Sequence, residues 1–304
     1  MLKYRFEIEN KNNHGNIVDI TTDRFDITWM NWPQYRNEKH FTLLPIENSE
    51  DDGTVTYDFN STGFRCDDFA LDHEKGKHIL FGGCSQTEGV GGQLDTVWSK
   101  MIYNKLKENN LADGFYSLAR AGYGWQKIIS SFLIYSKKYG YPDYFFVLLP
   151  NVGRFFEWDF NLKTWIYIQR YPGNHQEGEK KENIAKLNDI DERPLTLEEH
   201  RRCLVDFFLG WRMLIELCNI NNTKLLWSTW EYEQFYHYDM FDHSNTMITL
   251  SDEDLMKHIE LKRPDGKTNK DDLFRRDGHY GVLQHDYWYN SFMKEINNRG
   301  WFND

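Results

Sequence analysis

The sequence predicts an α/β fold in which helices cover both faces of a mostly parallel β-sheet, with a small β-rich region in front of it. Two observations support this prediction. From His78 onward, short apolar runs alternate with segments of helical periodicity. Before about residue 70, short alternating or β-branched runs are separated by polar turns. We therefore predict a β-rich N-terminal arm or subdomain at 1–70 and an α/β domain at 71–304.

The first elements of the α/β domain follow from their patterns. "HILFGG" and "FYSLARAG" are predicted as its first two strands, and "DYFFVLLP" as a third strand that is buried on both faces. "WQKIISSFLIYSKKYG" is predicted as a helix that ends at Gly140. Another helix, "DTVWSKMIYNKLKEN", has one apolar face formed by Val97, Met101, Ile102 and Leu106.

The later elements include one long polar insertion, at about 169–195. It is too polar for a core and too long for an ordinary connection, so it is either a solvated loop or a lid over a site. The helix "TLEEHRRCLVDFFLGWRMLIELC" follows, and Thr196 and Glu199 form a capping-box pattern at its start. "KLLWSTW" is predicted as the fourth strand and "GVLQHDYWYNSFMKEINNRG" as a closing helix.

Composition narrows the class of protein. The chain has 304 residues, 16% of them aromatic, which is ample for a large core. A formal net charge of -11 argues against a nucleic-acid partner. The polar start predicts no signal peptide, and the lack of a long uncharged stretch predicts no membrane segment. Four scattered cysteines without CxxC spacing indicate a reducing compartment such as the cytoplasm and no cysteine zinc site.

A small-residue corner, "GGCSQTEG", follows the first predicted strand. In parallel sheets, sites form at the carboxyl ends of strands, so the corner marks a candidate site. A P-loop would need Gly-Lys-Ser/Thr, and no lysine lies between His78 and Ser99. The dinucleotide spacing GxGxxG is absent, and the elbow GxSxG lacks its second glycine. A serine corner of another kind, or a tight turn with an N-cap serine, remains.

The corner resembles the first motif, GDSxTxG, of the SGNH (GDSL-type) hydrolase superfamily. The positions that match are Gly83, Ser85, Thr87 and Gly89, and Cys84 replaces the usual aspartate. The motif GDSxTxG is a moderate signal by itself, because small residues are common after strands. The other motifs of the superfamily should therefore follow in order.

Those motifs are present in weakened form. "SLARAG" stands where NxGxxG is expected, and Gly122 matches its last glycine. "LLPNVGR" offers Asn151 for the asparagine of GxND, and "RRDGHYGVLQH" offers Asp277 and His279 for DxxH, with one residue between them instead of two. The resemblance covers roughly residues 58–299, and "GRFFEW" is similar to virus-encoded and divergent members.

The resemblance implies a three-layer α/β/α fold with a flavodoxin-like sheet, and a serine esterase that needs no metal or cofactor. Ser85 would be the nucleophile, His279 its base and Asp277 the group that orients the base. The Ser85 N–H, the Gly122 N–H and the Asn151 side chain would form the oxyanion hole. If the short spacing keeps His279 away, His285 is the alternative base. Small acyl esters, above all acetyl groups on carbohydrate, are the implied substrates.

Several alternatives stay open at this stage. The fold could be a decayed scaffold that binds a glycan or receptor within a larger assembly such as a virus particle, which would make the protein virion-associated. Residues 1–70 could then mediate homo-oligomerisation or attachment. An acyltransferase that uses the same serine and histidine is a further interpretation. "HYDMFDH" invites a metal site through His237, Asp239, Asp242 and His243, but a loop beside the site is favoured because no second cluster completes the shell.

Overall fold

Helices separate the four strands of the central sheet along the chain. The computed structural model describes residues 6–8, 16–18, 40–43, 55–71, 76–159, 164–169, 197–230, 246–262 and 280–302. The strands are Phe6–Ile8 (β1), Asn16–Val18 (β2), His40–Leu43 (β3), Val55–Asp58 (β4), Ile79–Gly83 (β5), Tyr116–Ser117 (β6), Tyr144–Leu149 (β7), Arg154–Asp159 (β8), Thr164–Gln169 (β9) and Lys224–Thr229 (β10). The α-helices are Ser85–Glu88 (α1), Trp98–Glu108 (α2), Trp125–Tyr139 (α3), Leu197–Ile220 (α4), Asp252–Lys262 (α5) and Val282–Asn298 (α6).

The central sheet has four parallel strands in the order β10-β7-β5-β6. Among these four strands, β5 comes first along the chain, β6 second and β7 third. The first strand therefore lies between the second and the third, which is the flavodoxin-like arrangement. The next two strands of the sheet, β6 and β7, therefore pair with opposite edges of β5. The predicted parallel sheet and its flavodoxin-like order are confirmed.

Helices cover both faces of this sheet. Side chains of successive strand residues point to opposite faces, so the neighbours of alternate residues show which helices lie on each side. In β7, Phe145 and Val147 belong to the core cluster that includes residues of α3 and α4. Phe146 and Leu148 belong to the cluster that includes residues of α2, α5 and α6. The two clusters, with β7 buried throughout, make the predicted three-layer α/β/α arrangement.

The elements predicted from strong periodicity are confirmed. Strands β5, β7 and β10 and helices α2, α3, α4 and α6 lie where their patterns predicted them, and Gly140 caps the end of α3 at Tyr139. On the apolar face of α2, Ile102 and Leu106 are buried, as is Val97 directly before the helix, while Met101 is half-buried.

Other elements differ from the prediction. The second strand, β6, is only Tyr116–Ser117, because the chain leaves the sheet early for a turn. The antiparallel hairpin β8–β9 and helix α5 were not predicted. Most of the polar insertion, and Thr196 of the capping box, lie outside the described residues.

The N-terminal strands form two antiparallel pairs, β1–β2 and β3–β4. The chain after β4 contacts the α/β domain directly. Phe64 is fully buried in the core cluster beside α3, and the Asn60 side chain accepts the N–H groups of Thr62 and Phe64 at 3.0 and 2.9 Å. A domain boundary near residue 70 stays a prediction.

Candidate active site

The serine corner is a tight exit from β5 into the short helix α1. Cys84 has an extended backbone (φ -110°, ψ -150°), and Ser85 is the first helical residue. Gly83 is required here, because a Cβ at this position would clash with the Thr87 side chain and lie 2.9 Å from the Leu148 carbonyl oxygen. Ser85 is 6% exposed. Its N–H belongs to the first helical turn, which has no preceding carbonyl within the helix to accept it.

The end of α1 is held by a buried arginine. Gly89 adopts a left-handed conformation (φ +76°) and caps the helix. Arg65, 2% exposed, donates to the carbonyl oxygens of Gly89 at 2.7 Å and Gly92 at 3.0 Å. Its guanidinium also lies 4.1 Å from the centre of the Tyr57 ring. Burial lowers the pKa of Arg65, whereas the nearby Tyr57 and Glu88 raise it in part.

The second motif forms a turn that is tied to α1. The Tyr123 N–H donates to the Arg120 carbonyl at 3.1 Å, and Gly122 has φ +80°, as at the third position of a type II turn. The Ala121 N–H donates to Oε2 of Glu88 at 2.6 Å. A carboxylate on α1 therefore holds the peptide next to Gly122.

The third motif presents a buried asparagine just after β7. Asn151 is 1% exposed, and its Oδ1 accepts the Gly153 N–H at 2.6 Å. Its backbone carbonyl accepts the Arg154 N–H at 3.1 Å. Because the Oδ1 end is engaged within the turn, the side-chain amide nitrogen is the end that can serve as a donor.

The sheet brings these three motifs to one edge. Strands β6, β5 and β7 are parallel neighbours, with Phe81 paired to Ser117 and Gly83 paired to Leu148. The residues that follow their carboxyl ends therefore meet, and they include Ser85, Gly122 and Asn151. The turns also touch, since a Cβ on Gly124 would overlap the Arg154 carbonyl.

The C-terminal motif residues, Asp277 and His279, lie outside the described residues. The described chain resumes at Tyr280, whose N–H donates to Oε1 of Gln86, the neighbour of Ser85, at 3.4 Å. The Tyr280 ring lies 5.8 Å from Trp230, which directly follows β10. The segment after His279 therefore reaches the carboxyl edge beside Ser85.

His285, the alternative base, is buried in the first turn of α6. Its Nδ1 accepts the Trp98 N–H at 3.5 Å, and its ring packs edge-on against Trp288 at 5.0 Å. The hydrogen bond to Trp98 joins α6 to the start of α2. Its role as a base stays a prediction.

Sequence reasoning missed two charged members of this site, Arg65 and Glu88. Arg65 lies in "GFR", shortly before the first strand of the predicted α/β domain, and the sequence alone indicated no role for it. Glu88 stands between the matched Thr87 and Gly89, and a charged residue in a run of small residues was the available signal. Both are buried, which is uncommon for charged side chains unless they are paired.

The candidate metal residues His237, Asp239, Asp242 and His243 lie outside the described residues. Within the described ranges, no cluster of three or more His, Cys, Asp or Glu side chains is suited to hold a metal ion. In the same part of the chain, no helix is long and apolar enough to cross a membrane.

Among known proteins, the chain is similar only to solved structures. No family model and no curated protein matches the chain. The esterase EstA from Pseudoalteromonas sp. is 12% identical with a TM-score of 0.41, over 74% of this chain and 98% of that one. TesA is 8% identical with a TM-score of 0.42, over 72% and 97% of the two chains. A lipolytic G-D-S-L family protein from Veillonella parvula is 10% identical with a TM-score of 0.38, over 72% and 97%. The functional proposal therefore rests on this chain's own residues.

Proposed function

We propose that the protein is a serine ester hydrolase of the SGNH type that acts on small acyl esters, with acetyl groups on carbohydrate as the substrate class. One observation carries the proposal. A serine in the first turn of a helix shares the carboxyl edge of a parallel sheet with a glycine turn and a buried asparagine, in the chain order of the SGNH motifs. Such an edge is where α/β folds form their sites.

In this mechanism Ser85 Oγ attacks the ester carbonyl carbon while His279 accepts its proton. Asp277 orients the imidazole. Collapse of the tetrahedral intermediate breaks the bond to the alcohol, which leaves with the proton from His279. Water, activated by the same histidine, then hydrolyses the acyl-serine to the acid and free Ser85. The hydrogen bond between Tyr280 and Gln86 supports His279 as the base, because it anchors the next residue in the chain beside the serine.

The developing oxyanion needs donors that are already oriented. The Ser85 N–H, the Gly122 N–H and the Asn151 amide are proposed for this role. Two contacts support their orientation before substrate binds: Glu88 to Ala121, and Asn151 Oδ1 to Gly153. Aromatic rings of Trp230 and Tyr280 border the same edge, and rings of this kind can stack on a sugar.

The test is hydrolysis of p-nitrophenyl acetate by the wild type and by Ser85→Ala, His279→Ala and His285→Ala. Ser85→Ala should lose at least about 10⁴-fold in kcat, because it removes the nucleophile. Ser136→Ala is the matched control, since Ser136 is also buried but lies in the last turn of α3. It should stay within about twofold of the wild type.

The histidine variants identify the base. Loss in His279→Ala with activity in His285→Ala supports the proposed triad. Loss in His285→Ala with activity in His279→Ala would instead identify His285 as the base. A Ser85→Ala variant as active as the wild type would contradict the hydrolase proposal.

A binding scaffold without catalysis is the second candidate, and the single residue between Asp277 and His279 favours it. In that case Ser85 would not react with a fluorophosphonate probe, although the fold would be intact. An unlabelled wild type that binds an acetylated glycan would support the scaffold, as in a component of a larger assembly such as a virus particle. Labelling of the wild type with loss in Ser85→Ala supports the enzyme.

A further inference from the structure

We propose that Glu88 is a positioning residue for the oxyanion hole, and that it holds the turn that carries Gly122 in its working orientation. The inference rests on the proposed function and extends it to Glu88, which occupies a variable position of the first motif, between the matched Thr87 and Gly89. It follows from a hydrogen bond between two segments that are far apart in sequence.

The geometry joins the nucleophile helix to the second motif. Glu88 lies three positions after Ser85, on the same short helix, and is 7% exposed. Its Oε2 accepts the Ala121 N–H at 2.6 Å, a charge-assisted hydrogen bond. Ala121 and Gly122 are the central residues of their turn, so the orientation of the Ala121 peptide constrains the next one, whose N–H is the proposed donor.

A buried carboxylate needs compensating interactions, and the Arg65 guanidinium lies near it. The guanidinium is close enough to Glu88 for that carboxylate to raise its pKa against the effect of burial. It also donates to the Glu88 carbonyl oxygen at 3.3 Å and to the Gly89 carbonyl oxygen at 2.7 Å. Arg65 therefore fixes the backbone of Glu88 while the side chain of Glu88 fixes Ala121.

The consequence is a shared frame for the nucleophile and one oxyanion donor. Without the carboxylate, the Ala121 N–H loses its acceptor and the turn can rotate relative to α1. A misplacement of about 1 Å at a catalytic group can cost on the order of 10²-fold in rate. The loss should fall on kcat rather than on KM, because oxyanion donors act mainly on the transition state.

The test compares Glu88→Ala and Glu88→Gln with the wild type in p-nitrophenyl acetate hydrolysis and in labelling by a fluorophosphonate probe. Glu88→Ala should lower kcat and the labelling rate by about 10- to 100-fold, with KM within about threefold. Glu88→Gln keeps a carbonyl oxygen that can accept the Ala121 N–H, so it should recover most of the loss. Thermal unfolding of each variant reports on its fold.

Thr223→Val is the matched control for loss of stability alone. Thr223 is buried, and its Oγ1 donates to the Pro142 carbonyl at 2.7 Å, before β7 and β10 begin. This variant should lose stability and keep its labelling rate. If Glu88→Ala labels as fast as the wild type, or if Glu88→Gln is as slow as Glu88→Ala, the positioning role is wrong. An unlabelled wild type would instead overturn the proposed function, and this inference with it.

Discussion

The two edges of the parallel sheet both bury polar side chains, but they use them differently. At the amino edge, Nε2 of His78 lies 2.6 Å from the Tyr135 hydroxyl, and Asp143 accepts the His78 N–H at 2.8 Å. At the carboxyl edge, Glu88 and Asn151 accept backbone N–H groups of turns that follow the strands.

This difference between the two edges predicts that substitutions at one edge change the stability of the fold, whereas substitutions at the other also change the rate of hydrolysis. The amino-edge bonds join elements that the sheet and its helices already align, so their loss should lower the free energy of unfolding alone. The carboxyl-edge bonds orient turns that carry the proposed donors, so their loss should reach kcat. Four predictions test this division, from the largest expected effect to the smallest.

Asn151→Asp should have the largest effect. The carboxylate keeps an oxygen for the Gly153 N–H but removes the amide donor, so kcat should fall by about 10²–10³-fold. Steady-state kinetics with p-nitrophenyl acetate measures the loss, and circular dichroism checks the fold. A folded Asn151→Asp protein with wild-type kcat would remove Asn151 from the oxyanion hole.

Gly83→Ala should disturb both stability and rate. Its Cβ would collide with the Thr87 side chain and lie 2.9 Å from the Leu148 carbonyl oxygen, so α1 must shift. Overpacking of this kind costs about 1–3 kcal/mol in the free energy of unfolding, measured in urea.

Gly140→Ala is its matched control at the amino edge. Gly140 has φ +87°, but an added Cβ would have no atom within 4 Å of it, so only backbone strain should result. Its kcat should stay at the wild-type value while that of Gly83→Ala falls. Equal kcat in the two variants would contradict the division between the edges.

Tyr135→Phe should change stability without changing rate. It removes the hydroxyl that pairs with His78 in a buried site, which should cost about 1–2 kcal/mol in the free energy of unfolding. Chemical denaturation measures the cost, and kcat should remain within about twofold of the wild type. A tenfold loss of kcat would show that the amino edge also acts on catalysis.

Thr87→Val should have the smallest effect. Thr87 is buried, and its hydroxyl has no hydrogen-bond partner among the described residues, so its loss should change the free energy of unfolding by less than about 1 kcal/mol. The rate should be unchanged. A large loss of kcat would instead assign the Thr87 hydroxyl a part in the site.

Much of the fold follows from local patterns in the sequence. Strand β7 is a continuous apolar run, and α3 has clear periodicity with a glycine at its end, so neither depends on distant residues. The hairpin β8–β9 was harder to predict, because neither "RFFEWD" nor "TWIYIQ" alternates strictly between apolar and polar residues. Strand β6 is short because the chain leaves the sheet after Ser117 and then turns at Gly122.

The site was predictable only where it follows strand ends. Ser85, Gly122 and Asn151 could be grouped from sequence, because parallel strands send their carboxyl ends to one edge. The contact between Glu88 and Ala121 depends on how a helix and a turn meet in three dimensions. The position of Arg65 depends in the same way on the path that the chain takes from β4 to the end of α1.

The buried arginine also decides where the protein can be shortened. Tyr57 and Arg65 precede residue 71, the predicted start of the α/β domain, yet Arg65 donates to three carbonyls at the end of α1 and beyond it. The Tyr57 hydroxyl also accepts the Gly91 N–H. A truncated version for expression should therefore begin upstream of Tyr57, since one that begins at residue 71 would lose the hydrogen bonds from Arg65 that hold the end of α1, the helix that begins at Ser85.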